Sequence, residues 1–296
     1  MSKIVILGHT GFLGSCLYQN FLEDQQYEVY GFSSAQVDLS LPEEASKLTK
    51  IFDSKTTVIM AATALVKNKD FLSFTTDISM FTNLAQIVLK SKIRHLIYIS
   101  TPAIYGRRSD LVITESSQSN PDDFYSLAKF IGELIFKRIC ANYNIALTIL
   151  RPGIIYGRND IRSPFFRFIN NVRLGKEIEI HGDDTTRLIW IHNDDLCRVI
   201  HLIVKGLKLG DYNVASEGNG ISLLDLSEMI FKLCCMRTGI KFIPNPKIPF
   251  SLKFDLSKFK AGFPGFAFIK LEDGLKDYLD IKEDANENKG GSSKKY

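Results

Sequence analysis

The chain has 296 residues, 45% hydrophobic and 24% charged, which is enough apolar material for a large buried core and too little charge for global disorder. Its net charge of +4 falls far short of the concentrated positive charge of a dedicated nucleic-acid binder, and suits small anions such as dinucleotides or nucleotide diphosphates. Five cysteines (Cys16, Cys140, Cys197, Cys234 and Cys235) make neither a CxxC pair nor a zinc pattern, so a reduced, cytoplasmic, metal-free protein is expected.

Met1-Ser2-Lys3 runs directly into an apolar strand over Lys3–Leu7, too short a run for a signal peptide, and no stretch of about 20 apolar residues follows, so no membrane partner is expected. Gly8-His9-Thr10-Gly11-Phe12-Leu13-Gly14 comes next and opens a helix over Gly11–Glu23. Glycines at this spacing let the chain turn tightly and bring bare backbone against a pyrophosphate, and the helix N-terminus adds unpaired N–H groups. A second strand, Glu28–Phe32, ends at Ser33-Ser34, where a carboxylate would grip the ribose of NAD. Two hydroxyls there tolerate a 2′-phosphate, although neither Arg nor Lys stands beside them. The cofactor is therefore NAD or NADP, with a slight lean to NADP. Asp38-Leu39 follows, with Asp38 placed either to contact the adenine or to cap a turn.

Alternation continues through a helix over Pro42–Phe52, a strand over Thr57–Ala61, a helix over Thr75–Ser91, a strand over His95–Ser100, a helix over Tyr125–Tyr143 and a strand over Ala146–Leu150. This order predicts an α/β, doubly wound parallel sheet of the Rossmann type. After Pro152 turn residues become frequent. Residues 1–164 are read as mainly the NAD(P)-binding domain, 165–281 as mainly a smaller, mixed α/β substrate domain, and 282–296 as a disordered tail.

Tyr125 and Lys129 are four apart on one predicted helix and so share a face. A neighbouring ammonium lowers a tyrosine pKa, and such a tyrosine trades a proton with a carbonyl or alcohol oxygen while hydride moves. Thr101 ends a strand at the carboxyl edge of the sheet, where its hydroxyl can hold the same oxygen. His192, in an apolar strand before an acidic turn, reads as a packing and capping residue. Cys234-Cys235 reads as core, and the Lys247–Lys260 stretch as a solvated face that partly closes over an anionic substrate.

With these residues in order, the chain resembles the extended short-chain dehydrogenase/reductase family, in its NAD-dependent epimerase/dehydratase group acting on nucleotide-linked sugars. The likeness runs from about residue 3 to 281. Its carriers are Gly8, Gly11 and Gly14; Asp38-Leu39; Ala61-Ala62; Ser100 through Gly106; Tyr125 with Lys129; Leu150 through Gly157; Arg187 through Asp195; Tyr212 through Ala215; and Leu271 through Leu275. The resemblance implies Tyr125 as acid/base, Lys129 as its partner on the nicotinamide ribose, and Thr101 on the reacting oxygen. It also implies that Ala61, Ala62, Pro152 and Ile155 line the cofactor and that Arg187 holds the substrate diphosphate. Lys247 or Lys253 stands in for a C-terminal arginine that is not evident.

Pro102-Ala103 occupies the place where dehydratases of this group carry an acidic pair, so dehydration is not expected. Ile154 replaces an asparagine that commonly contacts substrate. Two enzymatic readings remain: a keto-sugar reductase, favoured by the compressed segment before Val37, and an epimerase that retains NAD⁺. A non-catalytic cofactor sensor is the reading from another class. The helix pair Thr75–Ser91 and Tyr125–Tyr143 resembles the family's dimer bundle, so a homodimer is expected.

Overall fold

The computed structural model describes residues 1–64, 70–107, 112–181, 187–244 and 251–276. Six strands make one sheet: β1 (Ser2–Leu7), β2 (Tyr27–Phe32), β3 (Thr56–Met60), β4 (His95–Ile99), β6 (Ala146–Pro152) and β11 (Gly210–Val214). Their order is β2-β1-β3-β4-β6-β11 and every pair is parallel. The continuous apolar run Ile4-Val5-Ile6-Leu7 follows from burial on both faces. Val5 and Leu7 join Val58, Met60 and Leu96 in one core, under α2 (Pro42–Ser46), α3 (Phe71–Ser91) and α4 (Phe124–Tyr143). Ile4 and Ile6 join Ile59, Ile97 and Leu150 in the other, under α1 (Phe12–Glu23), α6 (Asn193–Gly206) and α8 (Ser257–Gly262).

Because β1 pairs with both β2 and β3, the winding reverses there, and a crevice opens beyond the carboxyl ends of these strands. That places Gly8, Ser33 and Ala61 together at its floor.

The remaining strands are short pairs. β5 (Val112–Ile113) pairs with β14 (Lys253–Phe254), β7 (Ile154–Tyr156) with β10 (Trp190–His192), β8 (Ile178–His181) with β13 (Ile240–Ile243), and β9 (Arg187–Leu188) with β12 (Ile221–Ser222). With α5 (Pro164–Arg173) and α7 (Leu223–Leu233), all but β5 and β14 surround a third core, built from residues between Tyr156 and Leu275, while β5 and β14 pack in a fourth with Ile104 and Tyr105. The later half of the chain also returns to the main sheet, through α6 and β11.

Three expectations need adjusting. The helix expected over Pro42–Phe52 is α-helical only to Ser46 and continues as a 3₁₀ turn, Lys47–Lys50. Ser46 and Thr49 donate their hydroxyls to the carbonyls of Glu43 and Ser46, a local competition that disfavours a regular helix. The helix expected from Thr75 starts at Phe71, because Asp70 caps it by accepting the N–H of Ser73. Cys235 is exposed rather than core: α7 ends at Leu233 and Cys235 takes a positive φ of 49° just beyond it. The expected tail 282–296 lies outside the described residues.

Candidate active site

The crevice is a cleft of about 880 Å³. Gly8, Thr10, Gly11, Phe12, Ser33, Ser34, Asp38, Leu39, Ala61, Ala62 and Ile155 all line it. Leu13, Gly14 and Pro152 sit buried behind its wall. Two glycines are required by geometry. Gly8 has a φ of +91°, and a Cβ there would come within 2.9 Å of the Ala62 backbone. A Cβ on Gly14 would lie 2.0 Å from the Gly8 carbonyl oxygen, so α1 could not pack against the loop. The start of α1 has no side-chain cap and no acidic residue in its first turn. Its N–H groups and positive dipole end therefore face the cleft unopposed, as a pyrophosphate requires. These features fit a dinucleotide.

At the adenosine end, Ser33 donates its hydroxyl and its N–H to the Gln36 side chain. Asp38 accepts from the backbone and hydroxyl of Ser40, so one of its oxygens closes a turn even as the residue lines the cleft. Among the described residues, the lining includes one cation, Arg162, and the segment that carries Ser33 and Ser34 has neither Lys nor Arg.

Asp123 and Ser126 form a reciprocal capping box that starts α4, which fixes Tyr125 in its first turn. Thr101, just past β4, accepts the Ala103 N–H at the head of a 3₁₀ turn, Pro102–Tyr105, and its hydroxyl lies beside that of Tyr125. The two hydroxyls that the sequence paired are thus brought together. Burial pushes Tyr125 up to about 12; the Thr101 bond opposes that shift, and the carboxylates of Asp77 and Asp123 add to it.

Lys129 is held by the backbone of β4. It shares the helix face of Tyr125, but its buried ammonium donates to the Ile99 carbonyl at 3.0 Å and lies 5.2 Å from the Tyr98 ring. Burial brings it down to about 8, while Asp77 and Glu133 hold it up. Its amine points to the end of β4, and the carboxylates of Asp77 and Glu133 balance its charge.

Those carboxylates are the residues that sequence reasoning missed. Asp77, on α3, is 1% exposed and accepts from Thr63 Oγ1 and the Ala64 N–H, so it anchors one wall of the cleft and acts on both Tyr125 and Lys129. Glu133 is fully buried, accepts the Ser100 hydroxyl at 2.6 Å and is held by both Nε (2.9 Å) and Nη2 (2.6 Å) of Arg151. Arg151 further donates to Tyr105, to Asp211 and to the Glu115 carbonyl, which ties α4, β11 and the Pro102–Tyr105 turn under the site. A signal was present: Tyr125, Lys129, Glu133 and Lys137 repeat every four residues along one helix face.

Of the remaining candidates, Arg187 gives its guanidinium to the carbonyls of Asn219 and Gly220 and does not line the cleft. Lys247 lies outside the described residues. His192 caps α6, its Nδ1 accepting the Asp194 N–H at 3.3 Å. No helix among the described residues is long and apolar enough to cross a membrane.

Comparison with known proteins gives this geometry its relatives. A dTDP-glucose 4,6-dehydratase from Streptomyces niveus is 25% identical over 197 residues, 64% of this chain and 59% of that one, so the match spans less than two thirds of the relative. A GDP-6-deoxy-D-talose 4-dehydrogenase from Aggregatibacter actinomycetemcomitans is 24% identical, covering 83% of this chain and 86% of the other. The crystal structure of a Bacillus cereus UDP-glucuronic acid 4-epimerase with UDP-glucuronic acid and NAD superposes with a TM-score of 0.83 at 24% identity, covering 96% of this chain and 99% of that one. The sequence signature of one family matches residues 4–215, the greater part of the chain, and the protein belongs to the NAD dependent epimerase/dehydratase family.

Proposed function

We propose that the protein reduces the keto group of a nucleotide-linked sugar, with Tyr125 as proton donor. The observation that carries this reading is a tyrosine pushed up to about 12, hence protonated near neutral pH, and set beside Thr101 at the carboxyl edge of the sheet. A dinucleotide, when bound, supplies the hydride. Gly8, Thr10, Gly11, Phe12, Leu13 and Gly14 would hold its pyrophosphate, Ser33, Ser34, Asp38 and Leu39 its adenosine, and Ala61, Ala62, Pro152 and Ile155 the backbone walls toward the nicotinamide. Thr101 orients the substrate oxygen, and Tyr125 gives it a proton. Lys129, anchored on Ile99, lies beneath them as the buried cation of the site. Pro102-Ala103 has no acid–base group, which disfavours elimination of water.

Epimerisation is the second reading, favoured by one observation: among the described residues, the segment carrying Ser33 and Ser34 has neither Lys nor Arg to clamp a 2′-phosphate, which suits NAD rather than the NADP lean. Arg187 and Lys247 are retained as candidates for the diphosphate. We also infer a cytoplasmic homodimer in which α3 and α4, with Phe71, Leu72, Phe124 and Leu134 exposed, face a second copy; light scattering at the column outlet tests it. The division into residues 1–164 and 165–281 is likewise a proposal, with β11 lent back to the first part.

The test is turnover of NADPH or NADH with nucleoside-diphosphate 4-keto sugars. Tyr125→Phe should lose at least about 10²-fold in rate and keep its dinucleotide affinity. Stoichiometric NAD⁺ released on denaturation, with no net oxidation of NAD(P)H, would overturn the reductase in favour of the epimerase. Unchanged turnover in Tyr125→Phe would overturn both.

A further inference from the structure

Five cysteines are scattered through the sequence, and the fold brings two of them from 181 positions apart into contact. Cys16 Sγ on α1 lies 2.7 Å from Cys197 Sγ on α6 and 3.5 Å from Asp194 Oδ1. The other three are placed differently: Cys140 is buried in the core on the opposite sheet face, and Cys234 and Cys235 follow α7. We propose that Cys16 and Cys197 form a reversible oxidation site, a dithiol that a peroxide converts into a crosslink between α1 and α6.

Access and order both follow from the surroundings. Cys16 is only partly buried and borders Asp194, whose side chain is 63% exposed. Cys197 is buried from bulk solvent but forms part of the wall of a second cavity, of about 780 Å³, at the amino edge of the sheet, between Asp24, Tyr27, His201 and Phe263. Its contact with Cys16 and its burial raise the Cys197 thiol, and Cys16, the more accessible of the two, is the one a peroxide reaches first. The Cys16 thiolate attacks one peroxide oxygen; the O–O bond breaks, a sulfenic acid forms, and hydroxide leaves to become water. Cys197 sulfur then attacks Cys16 sulfur; the S–O bond breaks, the S–S bond forms, and a second water carries away the Cys197 proton. Two thiols lose two electrons and two protons, and one peroxide becomes two waters. The sulfurs need to close from 2.7 Å to the usual bond length of about 2.05 Å, a movement within side-chain reach.

The position gives the crosslink a consequence. Cys16 lies five residues past Gly11, the first residue of the α1 cap. Asn193, at the start of α6, already donates to the Phe12 carbonyl at 3.3 Å. The strand before α6, β10, pairs with β7, whose Ile154 and Ile155 form the opposite wall of the dinucleotide cleft. A covalent tie between the helices therefore fixes the glycine loop against that wall.

The full chain, purified reduced, is treated with hydrogen peroxide, and the remaining thiols are alkylated and mapped by mass spectrometry. The expected result is a loss of 2 Da, a Cys16–Cys197 crosslinked peptide, and three of the five cysteines still alkylated. Cys16→Ser and Cys197→Ser should each abolish that peptide, and dithiothreitol should restore five alkylated thiols in the wild type. Amide exchange across residues 8–23 should slow in the oxidised protein and recover on reduction. Oxidation that stops at sulfinic acid on Cys16 with Cys197 still alkylated, or that joins Cys234 to Cys235 instead, overturns the site. Unchanged exchange across residues 8–23 overturns the tie. Neither readout depends on dinucleotide or sugar, so the site stands or falls apart from the proposed activity.

Discussion

Asp77 is the residue whose effect on the chemistry is easiest to separate from its effect on shape. Its carboxylate is buried, and burial raises its own pKa against the opposing pull of the Ala64 N–H and Lys129. The same charge holds Lys129 up and pushes Tyr125 up, because a negative neighbour favours the ammonium and disfavours the phenolate. Asp77→Asn keeps an oxygen for the Ala64 N–H and removes the charge. Lys129 should then fall below about 8 and Tyr125 below about 12. For a reduction that needs the protonated tyrosine, the alkaline limb of kcat/KM moves to lower pH. A pH profile of the variant checks this; a limb that stays in place while activity merely drops would mean that Asp77 only braces the cleft wall. The groups facing the pair from each packed element are Asp77 on α3, Asp123 and Glu133 on α4 and Tyr98 on β4, so the substitution changes one charge among four ionisable neighbours.

Secondary-structure elements matter here through where they begin. α3 and α4 both start at an aspartate that accepts the N–H of a serine three residues on, Asp70 with Ser73 and Asp123 with Ser126. Replacing either aspartate with alanine should cost about 1 kcal/mol and lower Tm by roughly 2–4 °C. Only Asp123→Ala should also lose turnover, since Tyr125 lies in the turn it fixes. Thermal melts beside steady-state rates on both variants decide the matter, and equal rate losses would refute a positioning role for the α4 cap. The same contrast shows what the sequence carried. Gly8 to Gly14, Tyr125 with Lys129, and Thr101 after β4 are local patterns, set by one turn or one helical repeat, and their placement could be read directly. Lys129's rotation toward Ile99 could not, because it rests on how α4 packs on β4, so closely that a Cβ on Gly132 would come within 2.5 Å of the Tyr98 phenol oxygen. Nor could the Glu133–Arg151–Asp211 assembly, whose members come from three elements and are 18 and 60 residues apart. Nor could the hold on Arg187, whose Nε and Nη2 donate to carbonyls 32 and 33 residues further on.

For the whole molecule, the central sheet contains a titratable group that links its stability to pH. His95 opens β4 fully buried, with Nε2 at 2.8 Å from Thr148 Oγ1 on the neighbouring β6. Burial lowers it from 6.5 to about 4, with a small push in the same direction from Arg94. The folded chain thus keeps this histidine neutral at pH values where the unfolded chain protonates it. The unfolded state binds the extra proton between about 6.5 and 4, so stability is complete above 6.5 and falls as pH drops through that window. The slope approaches about 1.4 kcal/mol per pH unit, which amounts to about 2 kcal/mol between pH 7.5 and 5. Asp77 acts with the opposite sign, because its raised pKa favours proton uptake by the folded state and offsets part of the loss at the acid end. The carboxylates that are lowered, such as Asp53 to about 2, lose their stabilisation only below the window. Urea unfolding at pH 7.5, 6 and 5 should therefore show a falling midpoint in the wild-type chain. In His95→Asn, which can still bond Thr148 but has nothing to titrate, the midpoint should stay nearly level over the same range, even if its absolute value is lower. Parallel losses in the two proteins would assign the pH dependence to surface carboxylates and remove His95 from the account.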